Sequence, residues 1–255
     1  MAWSALFFAF AYAPLTVLII FSFNNSTLIA LPLKGFTLAW YQKLFSNATI
    51  LSAISNSLLV GGGTTLLATA GGILASFALV RYRFVGRGFF NYLILMPLLI
   101  PEIVMGVSLL VFFHSIGVSL SLITVMTGQT MIALPVTILV MVARLIGFDV
   151  ALEEAAMDLG ADELTTFRRI TFPLLLPGIV AAAVMAFTVS FGDIIMAYFT
   201  IGYQPTLPVY ILGQLRFPAN LPILTAASTL TLSFSVPLVV LSEVLRQIGE
   251  RRGGA

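Results

Sequence analysis

Six long stretches of this chain, roughly 2–23, 53–80, 89–113, 120–143, 176–200 and 223–245, carry almost no charge. A helix needs about 20 mostly apolar residues to cross the hydrocarbon core of a bilayer. Inside lipid each segment has to satisfy its own backbone hydrogen bonds, which leaves helices as the structure for runs of this length. The expected fold class is therefore an all-α membrane protein with six transmembrane helices. Composition agrees. Hydrophobic residues make up 60% of the chain and charged residues 9%, whereas soluble domains are nearer half apolar and a quarter charged. Mean hydropathy is +1.09. The AYA at 11–13 looks like a signal-peptide cleavage site, but no basic region precedes the apolar run, so the first stretch reads as an uncleaved span.

The same composition removes several function classes. A net charge of +2 over 255 residues gives no basic face for nucleic acid. With no cysteine and one histidine, His114, neither a thiolate metal site nor an intramembrane nucleophile–base set can be assembled. His114, in SLLVFFHSIGV, reads as a polar residue at a helix end. No G-x-x-x-x-G-K-[ST] phosphate loop exists, because neither Lys34 nor Lys43 has the required neighbours.

Basic residues orient the spans. Arg81, Arg83, Arg87, Arg144, Arg168, Arg169, Arg246, Arg251 and Arg252 fall on one side, and Lys34, Lys43 and Arg216 on the other. Nine against three places both termini in the cytoplasm. The domain plan is then a first span with an outer segment over 1–52, a core over 53–245 and a tail over 246–255. In the second span Thr64, Ala68, Gly72 and Ser76 recur every fourth residue. Small residues at that spacing let helix backbones approach in lipid, so the stripe is read as packing.

Charge is concentrated in one internal loop. Arg144, Asp149, Glu153, Glu154, Asp158, Asp162, Glu163, Arg168 and Arg169 lie within 144–169. Residues 149–159 have helical periodicity, with Leu152, Ala155, Ala156 and Leu159 on one face and the acids elsewhere. Asp149 suits the helix start. Gly160 permits a reversal, and a second short helix follows, capped by Asp162, with Pro173 either stopping it or starting the next span. An acidic helix is repelled by anionic cytoplasmic lipid, so the pair is read as a docking surface for a protein.

Here the sequence resembles a known family. Glu154-Ala155-Ala156, Gly160, Ile170 and Pro173 look like the EAA motif of bacterial ABC importer permeases, with Phe172 where that family prefers Leu. GFTLAWYQKLF at 35–45, RYRFVGRG at 81–88, PEIVMGVSLL at 101–110 and TLPVYI at 206–211 resemble the second permease of spermidine/putrescine importers. The resemblance implies a type I ABC importer permease fold in a bacterial inner membrane. It implies coupling through Glu153, Glu154, Ala155, Ala156 and Gly160 within 149–172. It also implies three kinds of partner besides membrane lipid and substrate: a second permease, a cytoplasmic ATPase dimer that binds the ATP and Mg, and a periplasmic binding protein. The chain itself binds no cofactor and catalyses no covalent chemistry.

Acids inside spans are expensive and mark function. Glu102 follows Pro101 in the third span, and Asp193 lies in VSFGDIIMAYF of the fifth. At 1.5 Å per residue they sit roughly 20 and 26 Å from their helix starts, similar depths that allow a shared cavity. Glu102, Asp193, the neighbouring Ser190 and the outer-loop Trp40 are the candidate substrate contacts. The alternatives stay open: the acids pair with a neighbouring helix or the partner permease, and Trp40 and Tyr41 belong to an interfacial aromatic belt rather than stacking on a cation. Polyamine permeases commonly carry two adjacent acids where this chain has Gly192-Asp193. Spermidine or putrescine is the expected cargo; an opine, 4-aminobutyrate or an aminophosphonate is the alternative. A transporter working without an ATPase leaves the charged loop unexplained.

Overall fold

The computed structural model describes residues 2–253. The order is α1 (Ala2–Ser22), α2 (Ala39–Ser46), α3 (Ala48–Arg81), α4 (Arg87–Leu99), α5 (Glu102–Ser115), α6 (Leu122–Ile146), α7 (Ala151–Asp158), α8 (Glu163–Thr166), α9 (Phe172–Gly192), α10 (Ile195–Thr200), α11 (Leu207–Gln214) and α12 (Leu221–Gly253). Among the described residues the only β pairing is the isolated bridge Asn24–Phe36. Four segments are long and apolar enough to cross a membrane: Ala48–Arg81, Leu122–Ile146, Glu163–Gly192 and Pro218–Leu241. The pair α4–α5 counts as a fifth if it is one broken span. In α1 the apolar part is Leu6–Ser22, shorter than the ~20 residues that span a bilayer core. The segment expected as a tail continues α12 to Gly253; the side chains of Arg246, Arg251 and Arg252 lie outside the described residues.

The chain forms two compact units, one joining the segment up to Asn56 with Gln204–Val236, the other joining Ser57–Tyr203 with the segment from Pro237 onward. The first unit is organised by α2, which the sequence reading left as loop. Trp40 and Leu44, one turn apart, drop into a core with Ile50, Ala53, Leu207, Ala226 and Ala227. Asn47 ends α2 and starts α3, its Oδ1 accepting from Thr49 N at 3.0 Å and Ile50 N at 3.2 Å. Asn56 Nδ2 donates to Pro205 O at 3.0 Å.

In the second unit α6 packs against α3 and α9. The small-residue stripe of α3 is the reason the helices come so close. Thr64, Ala68 and Ser76 are fully covered, and a Cβ on Gly72 would collide with the Thr137 hydroxyl of α6. Thr137 Oγ1 in turn donates to Ala68 O at 2.8 Å. Backbone contact and an interhelical hydrogen bond at one spot are the packing currency available in lipid.

Two expected spans are broken, and each break lies at an intramembrane acid. Ile100 precedes Pro101, whose ring disfavours helical geometry in the residue before it. Ile100 is accordingly extended (φ −84°, ψ 129°), and α4 and α5 meet at 102°. Pro97 stays inside α4. The fifth run breaks at Asp193, which is extended (φ −72°, ψ 128°) between α9 and α10. Of the two outcomes open at Pro173, the structure shows the second: Pro173 stands in the first turn of α9, which α8 enters through a π-helical turn, Phe167–Thr171. Phe172 N donates to Phe167 O, five residues back. This wider turn carries the helix into the stretch where Pro173 supplies no N–H.

Candidate functional site

The break before α5 puts Glu102 at that helix's first position, and the break after α9 puts Asp193 just ahead of α10. The two side chains meet there, carboxyl beside carboxyl. The helices can come this close because Gly106 of α5 packs directly on the Phe199 ring. The structure thus makes neighbours of the two acids that similar depth suggested could share a cavity, although neither helix runs straight through its acid.

The two acids are held very differently. Asp193 Oδ1 accepts from Met196 N at 3.2 Å and Oδ2 from Ala197 N at 3.0 Å, so the side chain caps α10. Oδ2 also accepts from Gln129 Nε2 of α6 at 2.8 Å. Gln129 Oε1 accepts a short hydrogen bond from Ser190 Oγ, which fixes which end of the amide faces Asp193. Ser190 therefore belongs to the site, but as support for Gln129. Glu102 carries no comparable set of donors: it is half-buried and faces Asp193. Among the described residues no basic side chain pairs with either carboxyl. Gly192, beside Asp193, is exposed and has open space where a Cβ would stand. Chemically, the arrangement can receive a cation: two carboxyls face each other, one of them anchored by backbone and amide donors.

Sequence reasoning missed Gln129, which is 2% exposed. A signal existed. An amide in the middle of LITVMTGQTMIALPV has no reason to be in a span unless it bonds across helices.

Trp40 lies in the first unit. It is buried, its Nε1 donates to Asn24 O at 2.8 Å, and the Lys43 ammonium sits 4.8 Å from the ring centroid. The cation stacked on this ring is the chain's own. Tyr41 OH shares a 2.8 Å hydrogen bond with Ser22 Oγ.

The charged loop forms the second half of the site. Asp149 Oδ1 accepts from Ala151 N at 3.0 Å at the start of α7. Gly160 turns the chain with φ +89°, a left-handed conformation that glycine adopts without Cβ strain. Asp162 Oδ1 accepts from Thr165 N at 3.0 Å, and the Thr165 hydrogen bonds hold this exposed carboxyl below its ordinary range. Leu152, Ala155 and Leu159 face outward on α7 together with Glu154, while Ala156 is half-covered. Glu153 departs from expectation. The sequence reading grouped it with the outward acids; it turns inward, pairing with Arg81 at 2.9 Å (Oε2–Nη1) and 3.1 Å (Oε1–Nη2). Thr171 Oγ1 also donates to Oε1 at 2.6 Å. A carboxylate at that position finds a guanidinium fork and a hydroxyl within its own chain, a stronger partner set than water offers.

Comparison with known proteins adds to this geometry. The family model described as "Binding-protein-dependent transport system inner membrane component" matches residues 68–252. The spermidine/putrescine transport system permease protein PotC of Escherichia coli (strain K12) is 35% identical over 240 residues, covering 93% of this chain and 90% of that protein. The putrescine transport system permease protein PotI of the same organism is 35% identical over 233 residues, covering 88% and 82%. In structure, the chain is similar to one from a bacterial ABC transporter involved in import of the acidic polysaccharide alginate. The TM-score is 0.72 at 14% identity, over 96% of this chain and 93% of the other. That likeness speaks for the fold.

Proposed function

The chain belongs to the family of binding-protein-dependent transport system inner membrane components, and on that premise we propose that it is the permease subunit of an ATP-driven polyamine importer. The observation that carries the cargo class is the Glu102–Asp193 carboxyl pair, to which no basic side chain among the described residues is paired. A spermidine or putrescine ammonium entering the pathway gains charge-assisted hydrogen bonds there. The relatives named for spermidine and putrescine support the same cargo.

In this reading α1 supplies a sixth span and both termini are cytoplasmic, as the nine-to-three distribution of basic residues supports. The subunit pairs with a second permease. A periplasmic binding protein delivers cargo, and a separate ATPase dimer binds ATP and Mg. ATP-driven closure of that dimer moves α7, and the spans rock around the carboxyl pair to expose it to one side and then the other. Gly192 favours a second reading, an importer of a less highly charged amine such as 4-aminobutyrate or an opine, since a single acid stands at Gly192-Asp193. Uptake into proteoliposomes holding the whole complex distinguishes them. ATP-dependent spermidine or putrescine uptake that outcompetes 4-aminobutyrate supports the first reading; exclusive uptake of the monoamine overturns it.

A further inference from the structure

The importer reading leaves Glu153 without a task, because its carboxylate points away from the surface that would meet an ATPase. We infer that Glu153 is a positioning residue for coupling, one that locks α7 to α3 and α9 and carries a push on α7 into the carboxyl site.

Three elements converge on this side chain. Arg81 is the last residue of α3, Thr171 closes the π turn ahead of α9, and both bond Glu153 of α7. The ion pair is two-pronged and mostly covered, with side-chain exposures of 21% and 16%. Such a fork fixes direction as well as distance. The Arg81 guanidinium also lies 5.2 Å from the Phe148 ring just ahead of α7. Phe167 in the π turn packs edge-on to Phe77 of α3 at 6.2 Å and against Phe172 at 6.2 Å. So α7 is fastened at its own first turn and cannot slide without moving α3 or α9.

From that joint α9 runs 21 residues to Gly192, about 32 Å at 1.5 Å per residue. Its far end is Asp193, the acid anchored by Gln129 and facing Glu102. One helix therefore runs from Thr171, at the Glu153 joint, to the acid pair.

 The joint formed by Glu153, Arg81 and Thr171 and the carboxyl pair thus lie at the two ends of a single helix, α9.

The inference rests on the importer reading, and its test separates the two. The complete complex is reconstituted with spermidine-loaded binding protein, and ATP hydrolysed and spermidine taken up are measured together. The variants are Glu153→Arg, Arg81→Glu, the double exchange and Thr171→Val, with ATPase recovery measured by co-purification. If the wild-type complex moves no spermidine, putrescine or 4-aminobutyrate, the importer reading fails, whatever the variants do. With an active wild type, each single reversal is expected to lower uptake per ATP by roughly tenfold, the factor expected for loss of one charge-assisted interaction. ATPase recovery stays intact and the double exchange restores much of the ratio. An unchanged uptake-to-ATP ratio in both reversals overturns the inference. So does a loss of ATPase recovery, which would make Glu153 a direct contact. Should the reversals fail to reach the membrane, Thr171→Val decides: it removes one hydroxyl, and a normal ratio there overturns the proposal.

Discussion

Gln129 and Asp193, 64 residues apart in sequence, are joined by a 2.8 Å hydrogen bond from amide to carboxyl. The bond ties α6 to the break between α9 and α10, and Ser190 sets its direction. Interhelical hydrogen bonds in membranes average only about 0.6 kcal/mol. A stranded buried polar group costs about 1–3 kcal/mol, so the larger effect comes from removing one partner rather than from the bond itself. Gln129→Met, which keeps volume and removes both polar ends, is expected to lower the thermal midpoint of the detergent-solubilised complex and to weaken uptake. A midpoint equal to wild type would mean that this bond holds nothing in place.

The two acids should separate by phenotype. Glu102→Gln removes a charge that no backbone donor depends on, so assembly and basal ATP hydrolysis remain while uptake falls. Loss of a charge-assisted hydrogen bond of about 1.5–3 kcal/mol corresponds to roughly ten- to a hundredfold in affinity. Asp193→Asn keeps an acceptor for the α10 cap but leaves the Gln129 amide opposite a second amide. It should cost stability as well as uptake. Concentration dependence of spermidine uptake, read beside complex yield, distinguishes the pair; equal behaviour of both variants would refute the division of roles.

Gly160 has φ +89°, and the left-handed region costs a residue with a Cβ about 1–2 kcal/mol; a β-branched side chain fits it worst. Gly160→Val is therefore expected to misdirect α7 relative to α8, lowering both uptake and binding-protein-stimulated ATP hydrolysis while membrane abundance is kept. Normal stimulation in this variant would show that the reversal does not need glycine.

On α7 the outward residues are the ones to probe for docking. Ala155→Trp and Glu154→Lys alter exposed positions, the first by bulk and the second by charge. Each should reduce co-purification of the ATPase without reducing the permease itself. Full recovery with both would place the docking surface elsewhere.

Much of this was legible in the chain. The four long apolar segments follow from the length of apolar runs, and the α3 stripe from four-residue spacing of small side chains. The reversal at Gly160 and the cap at Asp162 follow from residue chemistry alone. Glu102 and Asp193 stood out because charge in lipid needs a reason. What the sequence hid has a common cause. Periodicity assigns a residue to a helix face, but which face is covered depends on the neighbour. Glu153 looked outward because its companions are acids, and only the approach of Arg81, 72 residues earlier, turns it inward. Helix α2 is one short amphipathic segment whose apolar side is defined by residues more than 150 positions away, such as Leu207. The π turn at Phe167–Thr171 leaves no pattern, since apolar spacing across five residues suits either coil.

The open space beside Gly192 bears on how a transporter of this kind diversifies. Within this chain a Cβ added there meets nothing within 4 Å, and the glycine codons GGU and GGC become aspartate codons by one base change. Gly192→Asp would set a third carboxyl one residue from Asp193, its Cβ displacing no neighbour. Cargo preference can then drift towards more highly charged amines in a single inherited step, while the cap on α10, the Gln129 anchor and the joint at Glu153 are passed on untouched.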